Sequence, residues 1–210
     1  MDLMKSLTWR YATKAFDPER KISETDINTL REVMRLAPSS FGLQPWKIYM
    51  VTNQQVKESL VVHSWNQRQV VDCSHLVVLT SLKSMTAEYI QNFIKLLASE
   101  RGVSAESLAP YQGMMEGALL GGGMAKDLGA WTARQAYILM GFLMMAAAEL
   151  EIDSCPMEGI IPAEFDRILG VDDAYATVAA VPLGYRSQDD KYATAQKVRF
   201  SAEQVFVDIV

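Results

Sequence analysis

An α+β domain, with helices packed on a small sheet, is the fold class this sequence predicts. Three observations predict it. Short apolar segments with β-branched and aromatic content stand at 47–52, 75–80 and 174–183, and segments of that composition read as strands. Longer segments with apolar residues at helical spacing outnumber them. No repeat, low-complexity tract or long linker breaks the 210 residues. A single domain over 1–210 is therefore expected, with strands in the minority.

Each element has a local reason. Ser23-Glu24-Thr25-Asp26 starts a helix, because the Ser23 hydroxyl accepts a free backbone N–H and the acids suit the positive end. Ile27, Leu30 and Met34 follow at helical spacing, and Pro38 disfavours helix at Ala37. The next segment, Pro38-Ser39-Ser40-Phe41-Gly42-Leu43-Gln44-Pro45-Trp46, is a loop rich in turn residues. Strands are expected at Lys47–Thr52 and His75–Thr80, the second apolar enough to be central. A helix is expected from about Met85 to Glu100. Met114–Met124 stays open between helix and loop, since Gly117, Gly121, Gly122 and Gly123 each cost a helix about 1 kcal/mol. Trp131–Leu150 is the strongest helix. It is apolar nearly all round in its second half, which predicts burial in the core or at an interface. Cys155–Gly159 is a loop, Pro162–Leu169 a short helix closed by Gly170, and Ala174–Leu183 a third strand. The end, Gln204–Val210, is too apolar for a loose tail and is expected to dock, a partner subunit being one surface for it.

Composition excludes several classes. Half the residues are hydrophobic and 21% are charged. A chain of this length buries roughly 70% of its unfolded surface, so it needs neither disulfide nor metal to fold. A net charge of −5 gives no general attraction for nucleic acid or an anionic membrane. Any anionic ligand must be held by a local basic cluster. Cys73 and Cys155 form neither a disulfide framework nor a zinc spacing. The first residues lack signal-peptide features. The longest apolar run, Ala136–Ala148, is shorter than the ~18–20 residues of a membrane span. A cytoplasmic protein is expected. Gly121-Gly122-Gly123 lacks the G-x-G-x-x-G spacing. No P-loop, H-E-x-x-H or G-x-S-x-G motif is present, and no metal site is expected.

What remains is distributed. Arg10 and Lys14 offer two cations near the start, and Lys197 and Arg199 two more near the end. Arginine suits phosphate because its planar fork makes paired, charge-assisted hydrogen bonds. Taken in order, R-x-x-x-K-x-F at Arg10–Phe16, A-P-S-S-x-G-x-Q-P-W at Ala37–Trp46, P-x-E-G at Pro156–Gly159 and K-x-R at Lys197–Arg199 resemble the nitroreductase family. The resemblance runs from about Trp9 to Arg199 and is closest to oxygen-insensitive nitroreductases and dihydropteridine-reductase-like members.

The resemblance implies a nitroreductase-like fold, with helices around a small mixed β-sheet. It also implies an intertwined homodimer with FMN sites built from both chains at the interface. Arg10, Lys197 and Arg199 resemble the cluster that grips the FMN phosphate. Lys14 resembles the cation near the flavin N1–O2 edge, where reduction places negative charge. Pro38, Ser39 and Ser40 resemble the loop given to the partner's flavin. Pro156, Met157, Glu158 and Gly159 resemble the loop whose backbone N–H groups reach the N5–O4 edge. Asn66 resembles the asparagine at the pyrimidine edge. Three positions depart from close relatives. Tyr11-Ala12 replaces His-Ser, removing a hydroxyl that contacts phosphate. Gly42 stands where asparagine is frequent, and Gln69 where a second lysine is expected. Loss of that lysine is expected to lower the flavin midpoint potential.

Phe41 and His63 are candidate pocket residues, loop packing and a surface position being their plain alternatives. Cys155, beside the flavin loop, reads better as a small buried residue. No side chain is required as a catalytic acid, because the chemistry is the cofactor's. The implied activity is hydride transfer from NADH or NADPH to FMN, and then to a flat, electron-poor acceptor such as a nitroaromatic, quinone or pteridine, by a ping-pong cycle. Other flavin chemistry on the same scaffold (reductive dehalogenation, flavin fragmentation) and a non-catalytic flavin-binding protein are the alternatives.

Overall fold

The computed structural model describes residues 2–210. Four strands form one sheet in the order β1-β2-β4-β3: β1 Trp46–Val51, β2 His75–Leu82, β3 Asp153–Ser154 and β4 Tyr175–Gly184. The three pairings between named strands are antiparallel, and the parallel component is an isolated bridge between Ala12 and Ser154. β2 is buried along its whole length, as its apolar run predicts. Successive strand side chains point to opposite faces, so β2 feeds two cores. Val77 and Leu79 meet α2 (Glu24–Leu36) and α7 (Leu128–Glu149) through Leu30, Met34, Leu139 and Leu143. Leu76 and Val78 meet α3 (Gln54–Leu60) and α8 (Pro162–Leu169) through Leu60 and Phe165. A third cluster joins α5 (Ala87–Arg101) and α6 (Ala109–Glu116) to Leu82 and Tyr175 at the end of the sheet.

The caps set the helix boundaries. Ser23 Oγ accepts from Asp26 N–H at 3.1 Å and starts α2. Thr86 caps α5, so that helix begins two residues later than its periodicity predicts. Asp127 caps α7 and brings its start forward to Leu128. The open segment 114–124 resolves into the end of α6, a π-helical turn over Gly117–Gly121 and a 3-10 turn over Gly123–Asp127. Four short elements carry too little periodicity to be read from sequence: α1 (Leu3–Trp9), α3, α4 (Gln69–Asp72) and β3.

α7 buries Leu139, Leu143 and Ala147 but leaves Ile138 43% and Phe142 45% exposed on its other side. The apolar end docks on nothing within the chain. After α9 (Ala202–Val205), Phe206 and Ile209 remain 70% and 96% exposed. Among the described residues no helix is long and apolar enough to cross a membrane.

Candidate functional site

Two extended segments that lie side by side build the site. Residues 10–16 leave α1 and run along β3, with Thr13 N–H on Ser154 O at 3.3 Å. Residues 186–199 return beside them. Asp190 ties the two together. Its Oδ2 accepts from Tyr11 Oη (2.9 Å), Lys14 N–H (2.8 Å) and Ala15 N–H (3.1 Å), and its Oδ1 from Tyr192 N–H (3.0 Å). Burial opposes ionisation of Asp190, yet these donors outweigh it and hold the carboxyl below its ordinary range. Burial, then the bond to Asp190, pushes the Tyr11 hydroxyl up to about 12. Beside them Arg186 is consumed by buried Asp153 at 2.6 Å, and its guanidinium lies over Trp9 and Tyr11.

Between the segments opens a cleft of about 530 Å³ lined by Arg10, Tyr11, Ala12, Lys14, Lys197 and Arg199, among others. Among the described residues none of its four cations makes an ion pair. Arg10 Nε is buried without an acceptor. Lys197 Nζ reaches only carbonyls, those of Leu7 (2.6 Å) and Arg10. Burial, and then repulsion from Arg199, lowers the Arg10 pKa. Burial, then Arg10 and Arg199, lowers that of Lys197. Clustered cations with an unsatisfied buried donor are a site for a multiply charged anion, and the planar guanidinium favours phosphate.

At the floor of the cleft Lys14 Nζ lies 3.5 Å from Cys155 Sγ. The chain then turns through Pro156–Gly159. Met157 pairs with Ala180 in both directions, whereas the N–H groups of Glu158 and Gly159 have no acceptor among the described residues. The Glu158 carboxylate accepts from Tyr137 Oη. Burial and then this bond push the Tyr137 hydroxyl up to about 12. Gly159 is required by close approach: a Cβ there would stand 2.8 Å from Trp65 Cε3. Trp65 and Asn66 are both exposed and both hold positive φ, 52° and 56°.

The fold thus gathers Arg10, Tyr11, Ala12, Lys14, Lys197 and Arg199 into one cleft. Gln69 and Pro156–Gly159 adjoin it through Cys155 and Gly159. It does not bring Pro38, Ser39, Ser40 or Gly42 there. Ser40 N–H donates to Gln135 Oε1 at 2.8 Å, and Phe41 packs edge-on to Tyr111, whose hydroxyl bonds the Phe41 carbonyl. Phe41 and Gly42 instead line a separate cavity of about 600 Å³ with Phe93 and Tyr111. His63 stands apart from both cavities. Its Nε2 faces Glu164 of α8 at 3.8 Å, and it lines neither cavity, because the Ile161 N–H bond to its carbonyl fastens residue 63 to the start of α8. Cys155 is fully buried as expected, but its contact with Lys14 was not foreseen. Asp190, Asp153, Arg186 and Trp65 were missed. Single polar residues far apart in sequence leave no periodic signal, and the only hint was an acid pair, Asp189-Asp190, just before K-x-R.

Comparison with known proteins bears on the family and the fold. The profile of the Nitroreductase family matches residues 7–185. A provisionally named NAD(P)H nitroreductase of Staphylococcus haemolyticus is 34% identical over 211 residues, covering 97% of this chain and 95% of the relative. Two crystal structures share the fold. A provisionally named nitroreductase of Bacillus subtilis superposes with a TM-score of 0.87 at 22% identity, over 100% of this chain and 99% of that one. A nitroreductase of Exiguobacterium sibiricum, solved in complex with FMN, gives 0.82 at 21% identity, over 100% and 98%.

Proposed function

The chain belongs to the nitroreductase family, and on that premise we propose that it is an FMN-dependent oxidoreductase that draws on NADH or NADPH. Bound FMN would supply hydride chemistry, linking the nicotinamide to a flat, electron-poor acceptor such as a nitroaromatic, quinone or pteridine in two alternating half-reactions. One observation carries the reading: a cleft walled by four unpaired cations, with the Arg10 Nε buried and lacking an acceptor. A phosphate dianion supplies what that cluster lacks.

The residues fit the cofactor. Arg10, Lys197 and Arg199 would hold the phosphate, with Tyr11 and Ala12 lining the same wall. Lys14 would place positive charge at the edge that becomes negative on reduction, with Asn66 and Gln69 beside it. The free N–H groups of Glu158 and Gly159 would donate to the opposite ring edge, while Pro156 and the paired Met157 backbone keep that loop rigid. Pro38, Ser39, Ser40 and Gly42 would serve the flavin of a second subunit. The open apolar side of α7 and the apolar C-terminal segment support a homodimer, since such surface is seldom left to water. Chain 1–210 then acts as one FMN-binding domain. The two buried free cysteines are in keeping with the cytoplasm.

The test is an absorbance spectrum of the purified protein followed by anaerobic NAD(P)H. Flavin bands that bleach with NAD(P)H and return with a nitroaromatic or quinone are expected. A colourless protein that cannot be reconstituted with FMN would overturn the reading.

A further inference from the structure

Lys14 is held in an unusual way. Among the described residues its ammonium has no carboxylate partner, and a lysine side chain has about 2 kcal/mol of rotamer entropy with which to resist being fixed. Among them its one side-chain acceptor is Cys155 Sγ, at 3.5 Å. That sulfur is fully buried, and its backbone N–H is anchored on Pro182 O of β4 at 3.1 Å. The side chain of Gln69, itself 5% exposed on α4, stands close enough to the sulfur to interact with it. Gln69 Nε2 in turn donates to Gln67 Oε1 at 3.2 Å, and Gln67 abuts Gly159. A polar chain, Lys14–Cys155–Gln69–Gln67, therefore runs beneath the loop Pro156–Gly159.

We propose that Cys155 is a positioning residue for Lys14: its sulfur, braced by Gln69, aims the single ammonium at the redox-active edge of bound FMN. The inference rests on the FMN reading above. A thiol suits this task better than a carboxylate. A carboxylate would fix Lys14 but cancel its charge, whereas burial pushes the Cys155 thiol up, so it stays neutral and leaves the charge to act on the flavin. Gln69 completes the arrangement as an uncharged brace at the position where a lysine would add a second cation.

The test compares Cys155→Ala, which removes the acceptor, with Cys155→Ser, which keeps one, in the FMN-loaded protein. Two quantities are read: the two-electron midpoint potential by anaerobic dye-coupled titration, and the pH at which the reduced flavin ionises, by absorbance. Cys155→Ala is expected to shift the reduction equilibrium about tenfold toward oxidised flavin, about 30 mV lower for a two-electron couple, and to raise that pH. Cys155→Ser should restore wild-type values on both counts. In a Lys14→Met background Cys155→Ala should move neither. An unmoved or raised potential in Cys155→Ala would overturn the proposal, as would equal shifts in Ala and Ser, or a shift that persists without Lys14. Wild-type protein that binds no flavin would overturn both readings, whereas a flavin-bound wild type with unmoved variants overturns this one alone.

Discussion

The basic cleft and the loop Pro38–Gly42 are built in opposite ways, although the family resemblance gives both to the same cofactor. The cleft is closed by polar contacts inside one chain, among them Tyr11 to Asp190 across 179 residues and Lys197 to Leu7 across 190. Its four cations crowd together without an ion pair among the described residues. The loop is held just as firmly, by Gln135 of α7 and by Tyr111, yet it borders a different cavity. The same α7 leaves Ile138 and Phe142 open on its far side. Under the proposed homodimer, half of the site would be a property of the chain and the other half would wait on an assembly. Such a division would make cofactor binding depend on subunit association.

The largest effect is expected from breaking the intrachain half. Asp190 is 5% exposed and satisfies four donors. In Asp190→Asn an amide nitrogen must either face three donors or give up the Tyr192 contact. Leaving buried donors unpaired costs about 3 kcal/mol, which lowers Tm by roughly 6–12 °C in a chain of this size. FMN affinity should fall with it, because both cleft walls hang on that carboxylate. Calorimetry and flavin-fluorescence titration check this, and an Asn variant with wild-type Tm and affinity would show that the clasp is idle. The assembly half is broken by Phe142→Glu, which sets a charge on the open side of α7. Loss of about 2–3 kcal/mol of association, roughly 100-fold in the dimer dissociation constant, is expected by analytical ultracentrifugation. Flavin should bind more weakly while the monomer keeps its fold. A dimer that persists unchanged would place the interface elsewhere.

The same division decides what could be read from sequence. The three longer strands β1, β2 and β4 and α2, α5, α7 and α8 were legible, because period and caps are local: Ser23 and the spacing of Ile27, Leu30 and Met34 suffice for α2. The cleft cations were legible only as motifs at the two ends of the chain, and their convergence came from the resemblance. Asp190 was not legible, since nothing near it in sequence marks it as the acceptor for residues 11, 14 and 15. The surroundings of His63 were not legible for a related reason. Its neighbours 64–66 turn through two positive-φ residues, Trp65 and Asn66, that no pattern announces, and the imidazole comes to face α8.

A smaller effect tests the clasp from its other side. Tyr11 titrates in the folded protein at about 12 against an ordinary value of 10. Stability tied to the protonated hydroxyl is therefore complete below pH 10 and lost as pH rises through 12. Tyr11→Phe removes one hydrogen bond, about 1 kcal/mol at neutral pH. The gap between variant and wild type should narrow across pH 10–12. Denaturant melts at pH 8 and pH 11 compare them, and a constant gap would mean that the bond to Asp190 contributes nothing.

The smallest expected effect concerns Gly42, where the family resemblance makes asparagine frequent. Its φ is +75°, a conformation that asparagine tolerates better than most residues, and a Cβ would meet Phe93 Cζ at 3.4 Å, close but not forbidding. Gly42→Asn should change stability by less than about 1 kcal/mol. The added amide points the comparison at the assembly: one hydrogen bond to a flavin held by the partner subunit would tighten FMN by about fivefold. The gain should vanish when Phe142→Glu is added, since the loop then faces no second flavin. Equal tightening in the monomer would mean that the loop serves its own chain's cofactor, and the division between the two halves of the site would be wrong.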